Sequence, residues 1–272
     1  MIKNKLKRRV QAFWNKTPCG TREIESDVGS QVAFDQLESE RDDRENFIKD
    51  FAQFSNHEGK KVLEVGIGAG SDFIRFARGG ATLHGIDLTI NSIHLVRKRL
   101  ALENKSAFIS QGDAENLPYP NDYFDFVYSW GVVHHTDDTQ KAINEIIRVT
   151  KDNGTICVMI YHRHSLVGLQ CWIINALLKG KPWLSLSEVV YENIESIGTK
   201  AFSISEAKSM FSDLSNLKIS PIVTPYDVRL TRSKFLPSWV QSMIPNRLGW
   251  FLAIQGKKIS NNETNFAKSK NR

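Results

Sequence analysis

Little cysteine and no long apolar run are the first features of this chain of 272 residues. Its three cysteines, Cys19, Cys157 and Cys171, share no metal-type spacing. An odd number argues against a disulfide framework, so a reducing, cytoplasmic setting is expected. The longest apolar stretch, residues 166–178, is broken by Gly168, Gln170 and Asn175 and is too short to span a bilayer. No continuous apolar core follows the basic start, so no secretory signal is expected. One-signed charge is missing from the body as well. The formal net charge is +6, but residues 1–9 hold Lys3, Lys5, Lys7, Arg8 and Arg9 without an acid, and residues 257–272 hold five cations against Glu263. The ends thus carry plus five and plus four, which leaves the rest at minus three. Solvated termini are the first reading of this basicity; a weak contact of the N-terminus with a membrane surface or nucleic acid is the second.

What is present is a rhythm. Ile2, Leu6, Val10, Phe13 and Trp14 recur at helical spacing among lysines and arginines, which predicts a short amphipathic helix. Residues 37–56 predict a second, strongly charged on one side. From residue 61 short apolar runs at 61–65, 81–86, 107–110, 124–129 and 155–161 alternate with helical patterns at 72–78, 91–103 and 138–150. Short links between such elements imply a doubly wound, mostly parallel sheet, a Rossmann-like α/β fold. A helix at 203–214, with Ser203 and Glu206 spaced as a capping box, and strands at 217–223 and 250–255 complete seven strands. The expected organisation is a helical lid over 1–56, a core over 57–161, an apolar helical insertion over 162–202, closing elements with a Pro- and Trp-marked insertion over 203–259, and a disordered tail over 260–272. The chain contains no internal repeat.

The core's first strand ends in V-L-E-V-G-I-G-A-G-S, with Gly66, Gly68 and Gly70 alternating and Glu64 just before them. A phosphate-binding P-loop needs a lysine after the last glycine, and none is present. A dinucleotide fingerprint needs a third small residue, which Ser71 would allow. Glu64 in the strand and Asp72 at the helix start carry the wrong sign for a diphosphate and suit a cationic ligand.

Glu64-x-Gly66-x-Gly68-x-Gly70 resembles the first motif of class I S-adenosylmethionine (SAM) dependent methyltransferases, of the methyltransferase type 11 kind. The likeness continues in order through H-G-I-D-L, Q-G-D-A-E-N-L-P-Y, F-D-F-V-Y-S and R-V-T-K-D-N-G-T-I. In the last of these Asp152 and Asn153 stand where the family has Pro and Gly, a change in a turn. The resemblance covers residues 58–161 closely and implies SAM as cofactor. It implies that Asp87, followed by Leu88, holds the ribose hydroxyls, that Asp113 beside Ala114 meets the adenine amine, and that Ser129 and Trp130 end the strand facing the methyl group.

Methyl transfer needs a base only when the nucleophile is protonated, and His134 and His135, just past strand four, are the catalytic candidates. The competing reading has one packing on the cofactor and the other capping the next helix. His134-His135 and His162-x-His164 have no carboxylate set at ligand spacing nearby, so no metal is expected. Trp14, Tyr161 and His162 are the substrate candidates. The leading expectation is methylation of an O, C or N nucleophile on a small hydrophobic or aromatic molecule. An NAD(P)-dependent oxidoreductase, with Asp87 on an NAD ribose, is the second reading. A nucleic-acid or protein methyltransferase is the third, weakened by the slightly acidic body and by S-W-G-V after strand four. A membrane-peripheral protein on a degenerate cofactor fold is the fourth. Oligomeric state and acceptor identity are not legible.

Overall fold

The computed structural model describes residues 3–24, 26–229 and 237–260. The tail over 261–272 and residues 230–236 of the Pro- and Trp-marked insertion lie outside the described residues. Eight strands form one sheet: β1 Lys61–Val65, β2 Thr82–Asp87, β3 Phe108–Gln111, β4 Phe124–Trp130, β5 Thr150–His162, β6 Ala201–Phe202, β7 Leu214–Ile222 and β8 Phe251–Lys258. Their order is β3-β2-β1-β4-β5-β8-β7, with the two-residue β6 set beside β5 as an addition to the seven expected. Strands β1 to β5 pair in parallel and β8 runs antiparallel between β5 and β7. After β3 the chain returns to the far side of β1 to make β4, so the strand order reverses between β1 and β4. In open α/β sheets a ligand crevice opens beyond the carboxyl ends of the strands at that point.

Alternation within strands divides the core between two faces. Leu63, Val65, Val127, Ile156, Val158, Leu252 and Ile254 pack on one face under α6 Thr139–Val149 and α9 Ile204–Met210. Val62, Phe126, Tyr128 and Cys157 pack on the other, under α3 Ile48–Ala52, α4 Phe73–Arg78 and α5 Ile90–Leu102. Helix α9 carries the capping box, with Ser203 and Glu206 each bonded to the other's backbone. Strand β5 begins five residues earlier than the apolar run suggests. Its K-D-N-G segment is absorbed as an irregularity, with Asn153 at φ 60 and the pairing with β4 shifted between Phe124 and Phe126.

The N-terminal helices close one end. Helix α1, Lys3–Lys16, lies along the β2–α5 rim: Gln11 Nε2 donates to Leu88 O at 2.8 Å, and Asn91 donates to Asn15 through both its backbone and its side chain. Helix α2, Gln31–Glu45, starts six residues earlier than expected, and much of its charge faces inward. Glu38 meets Arg75, Arg78 and Arg99, and Arg99, 1% exposed, is held at 2.6 Å. Burial lowers the Arg99 pKa from its ordinary value despite that partner. The remaining helices are α7 Leu166–Trp172, α8 Leu186–Asn193 and α10 Ser238–Met243. No described helix is long and apolar enough to cross a membrane.

Candidate functional site

One cleft opens at the carboxyl ends of β1, β2 and β4, floored by Val65, Gly66, Gly68 and Ile86 and roofed by Val10 and Trp14 of α1 and by Cys19. The floor depends on glycine. Gly66 has φ +82, and a Cβ there would lie 2.1 Å from Val132 Cγ2, so both conformation and space exclude a side chain. Gly70 instead faces α5, where a Cβ would meet Val96 at 2.9 Å, so it serves helix packing and does not line the cleft.

Asp87 ends β2 at the cleft wall. Its Oδ1 accepts from the backbone and hydroxyl of Thr89, at 2.8 and 2.7 Å, and its Oδ2 accepts from Gly68 N at 3.1 Å. Burial pushes its pKa up, and these three donors pull it back. Both oxygens retain acceptor capacity toward the cleft. Asp113, with Leu88 and Ala114 beside it on the lining, takes Lys7 Nζ from α1 at 2.6 Å; Lys7 also reaches Glu115 at 3.3 Å. Trp130 lines the inner end and donates its indole N–H to Glu45 at 2.8 Å.

Two acids at the glycine turn have different fates. Asp72 is chelated by the Arg41 guanidinium and accepts from Tyr128 OH at 2.8 Å. Its charge is therefore matched, and the sequence argument that Asp72 itself repels a phosphate does not hold. Arg41 also meets Glu45 at 2.8 Å. Glu64, 4% exposed, sits outside the lining with Oε2 unpartnered. Burial, then Asp72, push its pKa well up, and Arg41 only partly offsets them.

Of the other sequence candidates, Trp14 and His135 line the cleft. Ser129, fully buried, donates to Val65 O at 3.1 Å. His162 bonds Gly249 O through Nδ1 at 3.1 Å, and Tyr161 stacks on Trp250 at 4.3 Å; neither reaches the lining. His134 is fully buried against Tyr161, with ring centroids 4.0 Å apart; burial, then His135, hold its pKa well below the usual value. Neither histidine caps α6, whose cap is Asp138. The carboxylate that sequence spacing failed to supply arrives from Glu195, whose Oε2 lies 3.3 Å from His135 Nε2 and accepts from Tyr161 OH at 2.9 Å. Glu195 holds a left-handed φ of 51, uncommon outside glycine. Sequence reasoning missed it together with Ser196, Thr199, Lys7 and Arg41. The available signal was E-S-I-G-T-K, a polar run closing an apolar segment.

A doubly wound sheet with a glycine-floored cleft at its switch point and an acid ending the second strand defines the Rossmann-like class of nucleoside-ligand domains. Within that class, residues 63–158 match the family model described as a methyltransferase domain. The uncharacterized methyltransferase YcgJ of Bacillus subtilis is 32% identical over 104 residues, 38% of this chain and 41% of that protein. The chloroplastic 2-methyl-6-phytyl-1,4-hydroquinone methyltransferase 1 of Oryza sativa subsp. japonica is 33% identical over 105 residues, 38% and 31% of the two chains. The match thus spans less than half the length of either relative. Among solved structures, phosphoethanolamine N-methyltransferase 2 of Haemonchus contortus, with phosphomonomethylethanolamine and S-adenosylhomocysteine, shares the fold at TM-score 0.62 and 15% identity, over 92% of this chain and 60% of that one. Residues 63–158 thus form a methyltransferase domain similar to those of class I SAM-dependent methyltransferases.

Proposed function

We propose that the protein transfers a methyl group from SAM to a small acceptor of hydrophobic or aromatic character, held between the cleft floor and α1. The observation that carries this reading is the joint placement of Asp87, Asp113 and the Gly66–Gly68 turn on one cleft. The cleft fits the cofactor's chemistry: Asp87 offers acceptors to a ribose diol, and the bare floor at Gly66 admits close backbone approach. Glu64 keeps an unpartnered buried oxygen beneath the turn, which a nearby ammonium would satisfy. When bound, SAM supplies a sulfonium-activated methyl group. The chain's share of the work is to align the acceptor and exclude water. Trp14 and Val10 cover the cleft from above, and Trp130, pinned through Glu45, forms its inner wall. The apolar lining around Trp14, Trp130 and Val132 favours an apolar or aromatic acceptor.

Calorimetry with S-adenosylhomocysteine, SAM and NAD tests the reading. Binding of the two adenosyl ligands, with NAD silent, is expected. Tight NAD binding without them would move the protein to the oxidoreductases.

A further inference from the structure

Two histidine rings lie buried in one place behind the cleft: His134, whose ring nitrogens meet no side-chain partner and only the backbone of Met159, and His135, whose Nε2 has no well-formed hydrogen bond. Both histidines are at least nine-tenths buried, at 0% and 6% exposure. A neutral imidazole left short of partners in the interior is costly, because each unsatisfied polar group has lost its hydrogen bonds to water. Among the described residues Glu195 is the acid facing them, and a nitrogen from each histidine and a Glu195 oxygen lie within 4.8 Å of one another.

The separation of His135 from Glu195 is informative. At 3.3 Å it exceeds the about 2.7–2.9 Å of a charge-assisted hydrogen bond. Two donors each about 2.0–2.1 Å from a tetrahedral ion stand about 3.3 Å apart. The proton on His135 is placed by its other edge. Thr199 spends its hydroxyl hydrogen on Ser196 O at 2.7 Å, so toward His135 Nδ1, 3.1 Å away, Thr199 can only accept. Ser196 Oγ, 3.2 Å from the same Nδ1, has both donor and acceptor capacity; when it too accepts, Nδ1 carries the hydrogen and Nε2 presents a lone pair toward Glu195. An outer hydrogen bond that fixes a ring in this tautomer is the usual support of a metal-bound histidine.

We propose that His134, His135 and Glu195 form a binding site for one divalent transition-metal ion, with Thr199 orienting His135 and Tyr161 orienting Glu195. Two imidazoles and a carboxylate suit ions such as zinc or iron(II), and three protein ligands leave a position open to an exogenous oxygen. His135 lines the cleft, so that position borders the ligand space. There the ion would lower the proton affinity of an acceptor hydroxyl. That role rests on the methyltransferase reading; the site does not.

The test uses untagged full-length protein, stripped with chelator and then equilibrated with zinc chloride. Metal analysis after dialysis is expected to give one zinc per chain, and cobalt(II) is expected to give a visible band of a low-symmetry N/O site. Glu195→Gln, on a partly exposed loop, and His135→Gln should each weaken zinc at least tenfold, with unchanged circular dichroism in the Glu195 variant. Absence of stoichiometric zinc, or wild-type affinity in Glu195→Gln, overturns the site. So does an NMR spectrum of ¹⁵N-histidine-labelled protein, unchanged by zinc, with a proton on His135 Nε2. S-adenosylhomocysteine binding is measured separately on the zinc-free protein: its failure removes the methyltransferase reading and leaves the site standing, and the reverse result removes the site alone.

Discussion

Replacing Arg41 by methionine exposes what holds α2 against the glycine turn. The guanidinium pairs with Asp72 through two nitrogens, with Glu45 through a third, and lies over the Trp130 ring at 5.7 Å. Its side chain is 18% exposed, while those of Asp72 and Glu45 are 3% and 4% exposed. Breaking such a pair from one side strands the other charges in the interior, at a cost of about 3–5 kcal/mol. For a chain of this length each kcal/mol lowers the melting temperature by about 2–4 °C, so a fall of about 10 °C is expected. The pH dependence carries a sign. Glu45 and Glu64 already titrate above their ordinary values because they are buried, and Arg41 opposes that shift in both. Without Arg41 their native-state pKa values rise further above the unfolded ones. The native state then binds protons more tightly, so the variant's deficit is largest at neutral and alkaline pH and shrinks as pH falls through the raised values. Adding Asp72→Asn should recover part of the loss, because the amide can still accept from Tyr128. Urea unfolding of the three proteins at pH 5 and pH 8 measures all of this. A loss below about 1 kcal/mol at pH 8, or a deficit that grows on acidification, refutes the reasoning.

Asp87→Ala should weaken S-adenosylhomocysteine binding at least a hundredfold by calorimetry, since each hydrogen bond to a charged group contributes about 1.5–3 kcal/mol and a diol uses two. Gly66→Ala places a methyl group 2.1 Å from Val132 at a φ of +82 and should cost more than about 2 kcal/mol in urea unfolding, besides abolishing adenosyl binding. Glu64→Gln should raise the stability of the ligand-free protein at pH 8. The burial-raised pKa means that charged Glu64 destabilises the native state above that pKa, and the penalty fades below it, so the variant's melting temperature should depend less on pH. Lys7→Met should accelerate both association and release of S-adenosylhomocysteine in stopped-flow fluorescence of Trp14.

The alternating strands and helices from Lys61 to Tyr161 were legible because burial on two faces imposes short apolar runs, and the glycine turn because close packing at Gly66 and Gly70 tolerates no Cβ. The capping box at Ser203 was legible for the same local reason. Helix α2 was read as strongly charged on one side, but where those charges go was not legible: they pair with Arg75 and Arg99 from α4 and α5, a partnership that no local pattern announces. Glu195 was invisible as a companion of His135 because only folding crosses the 60 positions between them, through backbone ties such as Lys200 N to His134 O. Asp72 was legible as an acid at the turn, but not its partner: Arg41 approaches it from another helix and matches its charge.

Helix α1 is fastened over the cleft by a few polar contacts from Lys7, Gln11 and Asn15, beside the apolar surface of Val10 and Trp14. On the proposed function, a ligand the length of an adenosyl amino acid would enter or leave as that helix lifts, so its residence time would be set by the fastening and only partly by the floor beneath. Because Lys7 and Asp113 are partly exposed, salt screens their attraction, and turnover limited by product departure would quicken as ionic strength rises.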